Sequence, residues 1–354
     1  MHSFVYNGLP ARVLFGSGTR NQLKSEIELA KCSRALVLGT PEQKASAEEL
    51  AGSLGGLAVG VFAEAAMHTP VDVTERALRK AEDLKADCTV AVGGGSTTGL
   101  GKAIALRTDL TQFVIPTTYA GSEMTPIIGE TKDGAKTTQR TLKVLPEVVI
   151  YDVDLTLTLP AKLSATSGMN AIAHAVEALY AQDRNPIMSL MAEEAIRALG
   201  RALPVIVANP QDRDARSDAL YGAWLCGMCL GSVGMALHHK LCHVLGGSFD
   251  LPHAETHTVV LPHAFAYNAA AAPEAADRIA KALGGRNAAL ALFELSGKLG
   301  APRSLKSLGM PEDGIERAAD IAVQNPYWNP RPIERNAIRD LIARAWAGEP
   351  PSQG

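Results

Sequence analysis

Short apolar runs that read as β-strands occur only in the first part of the chain: Arg12–Phe15, Ala35–Gly39, Leu57–Phe62, Cys88–Val92, Phe113–Ile115 and Val148–Tyr151. Between several of them lie helical patterns. The clearest has Val73, Ala77, Leu78, Ala81 and Leu84 at helical spacing, with Thr69-Pro70 just ahead as a start signal. Strands alternating with helices predict a mostly parallel sheet covered on both faces, an α/β domain. From about Leu155 the strand runs stop. Ala- and Leu-rich segments predict helices over Ala161–Ala181, Pro186–Ala208, Ser217–Leu237, Pro273–Leu283, Ala288–Leu299 and Ile333–Trp346. The fourth opens on Pro273 and is followed by Gly284, a start-and-stop pair typical of helices. The expected organisation is an α/β domain over residues 1–155 and an all-α domain over residues 156–354.

Bulk properties narrow the partners. A chain of 354 residues exceeds one ordinary core. The net charge is −3 and no basic block stands out, which argues against nucleic acid. No apolar run reaches the length of a membrane span, and Met1 to Gly18 lacks the layout of a signal peptide. Five cysteines are too few, and odd in number, for a disulfide framework, so a reducing cytoplasm is expected. Cys226 and Cys229 have the spacing of a redox or zinc pair, but in an apolar helical stretch they read as packed thiols.

Two loops carry the nucleotide signal. Val90-Ala91-Val92 runs into Gly93-Gly94-Gly95-Ser96-Thr97, and a helix follows. Glycine lets backbone amides approach a phosphate, and a helix start adds free N–H groups. The Walker pattern fails at Ser96 and Ala103, and the G-x-G-x-x-G fingerprint fails at Thr98. The second loop, Pro116-Thr117-Thr118 through Ser122, offers hydroxyls at the next strand end. Gly39-Thr40 closes an earlier strand without the acid that often holds an adenosine ribose, leaving NADPH as open as NADH.

Of nine histidines, six fall between His238 and His263. Asn170 and His174 are four apart, as are His239 and His243, and His253 follows a glycine-containing turn. Such clustering points to a metal or acid–base site. His238, His257 and His263 are as readily structural.

The order Gly93-Gly94-Gly95-Ser96, Pro116-Thr117-Thr118, Asn170-x-x-x-His174, His239-x-x-x-His243 and Leu251-Pro252-His253 resembles the iron-containing alcohol dehydrogenase superfamily along essentially the whole chain. The resemblance implies a dinucleotide domain followed by a helical catalytic domain, a homodimer, and a metal held by an Asp and three histidines. His174, His239 and His253 match the histidines, but Asn170 stands where the Asp belongs. An amide oxygen is a poor ligand for iron or zinc, so no catalytic metal is expected. The stretches Asn325-Pro326-Tyr327-Trp328-Asn329-Pro330-Arg331-Pro332 and Ala11–Gly18 resemble the maleylacetate reductase branch, which works without metal.

That branch implies reduction of maleylacetate, or a chloromaleylacetate, by NADH or NADPH to the 3-oxoadipate level. His243 and His253 are the expected acid–base residues, with His239 and His174 lining the vacated metal site and Tyr327 as a hydrogen-bond donor. Lys143, Lys240 and Arg331 are candidates for the two substrate carboxylates, each equally an ordinary surface charge. The alternatives are a metal-dependent alcohol dehydrogenase of the same fold, an NAD-using sugar-phosphate cyclase resembling dehydroquinate synthase, or an inactive nucleotide-binding protein.

Overall fold

The structure is a computed structural model that describes residues 4–325 and 327–352. It divides into two compact units, an α/β unit of residues 8–159 and a helical unit of residues 160–352 with which residues 4–7 group.

The α/β unit contains β1 (Arg12–Gly16), α1 (Leu23–Leu29), β2 (Ala35–Leu38), α2 (Lys44–Leu54), β3 (Ala58–Phe62), α3 (Val71–Asp83), β4 (Cys88–Gly93), α4 (Gly95–Thr108), β5 (Thr111–Pro116), β6 (Ile127–Lys132), β7 (Ala135–Arg140), β8 (Val148–Asp152) and the short α5 (Val153–Thr156). Six strands form a parallel sheet in the order β1-β8-β5-β4-β2-β3. Its central strands are buried on both faces, which is why they read as continuous apolar runs rather than alternating ones. One core packs Ile27, Val37, Leu50, Val90 and Ile115 on one side; another packs Leu36, Ala77, Ile104 and Val114 on the other.

Strand order reverses between neighbours β2 and β4: from β2 the chain moves outward to β3, and from β4 it moves the other way through β5 to β8. Ligands of such sheets sit outside the carboxyl ends of the strands at this switch point. Gly39 follows β2 there, and Gly93 ends β4.

The unit also holds an antiparallel pair that the strand reading missed, β6 with β7. The turn is Asp133-Gly134, both at positive φ (50° and 76°), the arrangement that two-residue hairpin loops require.

The helical unit contains α6 (Ala161–Tyr180), α7 (Pro186–Ala208), α8 (Arg213–Ser232), α9 (Leu237–Phe249), α10 (His253–Asn268), α11 (Pro273–Ala282), α12 (Ala288–Lys298), α13 (Gly314–Ala322) and α14 (Arg335–Ala347). The expected helix over Ser217–Leu237 is corrected: α8 stops at Ser232, and α9 begins afresh at Leu237 after an extended Val233 and a sharp bend. The apolar pattern continues across the break because both sides are buried, so periodicity could not show it. Pro273 and Gly284 delimit α11 as expected, Gly284 at φ 70°. Among the described residues no single helix is long and apolar enough to cross a membrane. Cys226 and Cys229 are packed thiols, fully buried and unpaired.

Candidate active site

In the α/β unit, the Gly93-Gly94-Gly95 run is the junction of β4 and α4. Gly94 is the residue before the helix, and the Thr98 amide is the first to bond back, to the Gly94 carbonyl at 3.1 Å. The amides of Gly95, Ser96 and Thr97 therefore have no partner inside the helix. No acidic side chain occupies the first turn, and Gly95 is exposed. Gly93 sits at φ 153°, where an added Cβ would meet Thr97 Oγ1 at 2.5 Å and Gln43 Oε1 at 2.6 Å. A Cβ on Gly94 would meet Thr118 at 3.1 Å. Thr97 Oγ1 is buried with no hydrogen-bond partner among the described residues. A backbone stripped of side chains, free amides at a helix start and an orphaned hydroxyl fit a phosphate-bearing ligand.

Thr117 and Thr118 follow β5, next to Gly93; the Thr117 amide bonds to the Gly93 carbonyl at 3.0 Å. Sequence reasoning missed Gln43, whose Nε2 donates to Thr117 Oγ1 at 3.2 Å. It also missed Lys102. Wholly buried on α4, this ammonium donates to the carbonyls of Ser122, Thr125 and Ile127 and to Thr125 Oγ1, at 2.6–2.9 Å. It ties down the loop carrying Ser122. Burial pulls its pKa down to about 7, against the opposing charge of Glu123.

Lys143, a candidate for a substrate carboxylate, forms an ion pair at 2.9 Å with Asp109, which ends α4 at the end opposite the glycine run. A helix of 14 residues spans roughly 20 Å, so Lys143 stands that far from the strand-end loops of its own unit.

In the helical unit the histidines gather on α6, α9 and the start of α10. Asn170, His174 and Glu177 lie along one face of α6. Glu177, unremarked in the sequence, is the anchor. Its carboxylate accepts the His239 ring N–H at 2.7 Å, the amides of Ala236 and His238 at 2.8 and 2.9 Å, and the Tyr180 hydroxyl at 3.2 Å. Burial alone would raise this carboxyl, but the hydrogen bond and charge of His239, the charge of His238 and the start of α9 outweigh it and hold the group at about 2. An acid three residues after His174 inside an Ala-rich run is costly to bury unpaired, and that was the available signal.

His239 Nε2 then lies 2.9 Å from His174 Nδ1, and His174 Nε2 lies 3.5 Å from the Asn170 amide nitrogen. For neutral rings one proton order satisfies the chain: Asn170 donates to His174, His174 to His239, and His239 to Glu177. Asn170 Oδ1 is buried without a partner among the described residues.

His243 and His253 differ from this pair in being exposed. The His243 ring stands 6.4 Å from that of His239, and His253 packs at 4.3 Å on His257. His257 is buried, and its Nδ1 lies 3.0 Å from His238 Nε2. Burial drives both rings toward the neutral form, His238 down to about 3. His263 lies further along α10, against Phe293.

Tyr327 is half-buried, its hydroxyl without a partner among the described residues. Burial and the negative Glu177 push its pKa up, keeping it a neutral donor. Lys240 lies 5.4 Å from the centre of the Tyr327 ring. Asn329 holds this loop to α10 through paired side-chain bonds with Asn268 at 2.7 and 3.0 Å. Arg331 is occupied, stacked 4.1 Å over Tyr267 and bonded to its carbonyl. Pro326 of the same stretch lies outside the described residues.

Family profiles span nearly the whole chain: iron-containing alcohol dehydrogenase over residues 10–153, and the C-terminal part of the Fe-containing alcohol dehydrogenase family over residues 164–346. The chain belongs to the iron-containing alcohol dehydrogenase family. Within it, the chain is 61% identical over 348 residues to a maleylacetate reductase of Sphingobium indicum, covering 98% of this chain and 99% of the relative. A maleylacetate reductase of Burkholderia cepacia is 59% identical over 352 residues, covering 99% and 100%. The crystal structure of maleylacetate reductase from Agrobacterium tumefaciens superposes with a TM-score of 0.97 at 59% identity, covering 99% and 100%.

Measured against the iron of the family's name, the donor set is a poor match. The position expected to supply negative charge carries the neutral Asn170, and facing nitrogens of His174 and His239 are spent on each other.

Proposed function

We propose that this oxidoreductase reduces the carbon–carbon double bond of maleylacetate to the 3-oxoadipate level, in the breakdown of aromatic compounds, using NADH or NADPH and no catalytic metal. The observation that carries the reading is the Asn170–His174–His239–Glu177 chain, set in a protein alike over its full length to relatives named maleylacetate reductase. An aldehyde reductase must stabilise a full alkoxide charge, for which a Lewis acid serves well. Maleylacetate is a conjugated enone. Hydride addition to the alkene carbon remote from the ketone spreads the charge into an enolate, which hydrogen-bond donors can hold.

The glycine-run amides, Thr97, Thr117, Thr118 and Gln43 are the groups that would hold the nucleotide. When bound, the reduced nicotinamide supplies the hydride. The exposed His243 and His253 supply a hydrogen bond to the enolate oxygen and a proton to the carbon. Tyr327 offers a further neutral O–H, and Lys240 beside it offers charge to a substrate carboxylate. Five unpaired, buried cysteines support a reducing, cytoplasmic setting.

The test is NADH oxidation with maleylacetate, followed at the nicotinamide absorbance, on chelator-treated protein. Turnover unchanged by chelator is expected. No turnover with maleylacetate, but activity on simple aldehydes restored by iron or zinc, overturns the reading.

A further inference from the structure

A second group of donor atoms lies between α9 and α10. His238 and Cys242 are four residues apart on α9 and share a face; His257 stands one turn beyond the start of α10. His238 Nε2 is 3.0 Å from His257 Nδ1 and 3.7 Å from Cys242 Sγ. Ligand atoms of the three residues all lie within 4.8 Å of one another, and all three side chains are buried. Tetrahedral zinc, with bonds of about 2.0–2.1 Å to nitrogen and about 2.3 Å to sulfur, has N···N edges of about 3.3 Å and N···S edges of about 3.6 Å. The measured separations lie within a few tenths of an ångström of these.

The two imidazoles meet through His238 Nε2 and His257 Nδ1, and Cys242 Sγ approaches the same His238 nitrogen, so one ligand atom from each residue converges in the gap between the helices. The surroundings are apolar, from the core of Leu237, Leu241, Leu245 and Val260.

We propose that His238, Cys242 and His257 form a buried binding site for Zn²⁺ or a divalent ion of similar softness, separate from the Asn170 set. The thiolate supplies the anionic ligand that the Asn170 set lacks. Metal entry displaces the Cys242 proton to solvent, leaving a thiolate–metal bond with no change of oxidation state. Glu177, which accepts the His238 amide at 2.9 Å, supplies a second negative charge close by. The absence of carboxylate ligands excludes Mg²⁺ and Ca²⁺. A metal here fixes His257, on which His253 packs.

The site is tested apart from turnover, so its failure and that of the proposed reaction are distinguishable. The full-length chain, dialysed against chelator, is titrated with Co²⁺. A near-ultraviolet thiolate-to-cobalt charge-transfer band saturating at one Co²⁺ per chain is expected, lost in Cys242→Ser and unaltered in Asn170→Ala. Should Cys242→Ser fail to fold, His257→Asn serves instead and is expected to weaken cobalt binding roughly tenfold or more. Cobalt uptake without the band places the ion on nitrogen and oxygen ligands and overturns the proposal. So does a band that survives in folded Cys242→Ser, or binding unchanged in His257→Asn.

Discussion

At the scale of single residues, two positions on α6 decide what the histidine cluster can do. Asn170 places an amide nitrogen 3.5 Å from His174 Nε2, and Glu177 accepts the His239 ring N–H, which for neutral rings sets the direction in which His239 and His174 present their protons. Glu177→Gln keeps the shape but loses the charge that fixes His239; kcat with maleylacetate is expected to fall on the order of 10- to 100-fold, measured in folded protein. Asn170→Asp returns the anionic donor and is expected to raise affinity for added Zn²⁺ at the His174–His239 pair at least tenfold, read by isothermal titration. Asn170 was legible in the sequence because the motif around it named the expected residue. Glu177 was not, because nothing in an Ala-rich helix says which distant amides will converge on its acid. For Lys143 the charge is visible in the sequence, while its partner Asp109 is fixed only by the fold.

Among elements, the β4–α4 junction is the part whose job was plain from composition, since a strand followed by three glycines leaves little but backbone to present. Gly94→Ala puts a methyl against Thr118, and the expected effect is a rise in nucleotide KM of about tenfold with a smaller change in kcat. Gly93→Ala carries positive φ as well as overlap with Thr97 and Gln43, so it is expected to lower stability by about 1–3 kcal/mol in urea unfolding. The β6–β7 hairpin was missed although Asp133-Gly134 marks its turn, because β7 is polar and the buried face of β6 consists of Ile128 and the acid Glu130, which gives no apolar alternation to read. The α8–α9 break was hidden for the opposite reason, being apolar on both sides.

For the whole molecule, acid is the condition most informative about the helical core. His263 is buried with neither ring nitrogen bonded among the described residues, and burial together with the Arg344 charge lowers its pKa from 6.5 to about 4. A histidine held below its unfolded value binds fewer protons when folded. Its contribution is therefore intact above pH 6.5 and drains away as the pH falls from 6.5 toward 4. The loss is on the order of 2 kcal/mol at pH 5. His263→Leu is expected to remove that part of the acid sensitivity and to be more stable at neutral pH, compared by urea unfolding at pH 7.5 and 5.0. The parallel sheet and the helical half were both predictable at this scale, because each follows from where apolar periodicity changes.

The start of α9 bears on how the chain assembles. Ala236, the residue before this helix, offers no capping side chain, and the amides there bond instead to Glu177, some sixty residues earlier in the chain. A peptide covering residues 233–250 therefore lacks the local signal that nucleates a helix, and in isolation it would remain largely coil. The helix that carries His239 and His243 is thus held at its start by a side chain of α6, so its order is tied to the docking of α6 rather than to its own sequence.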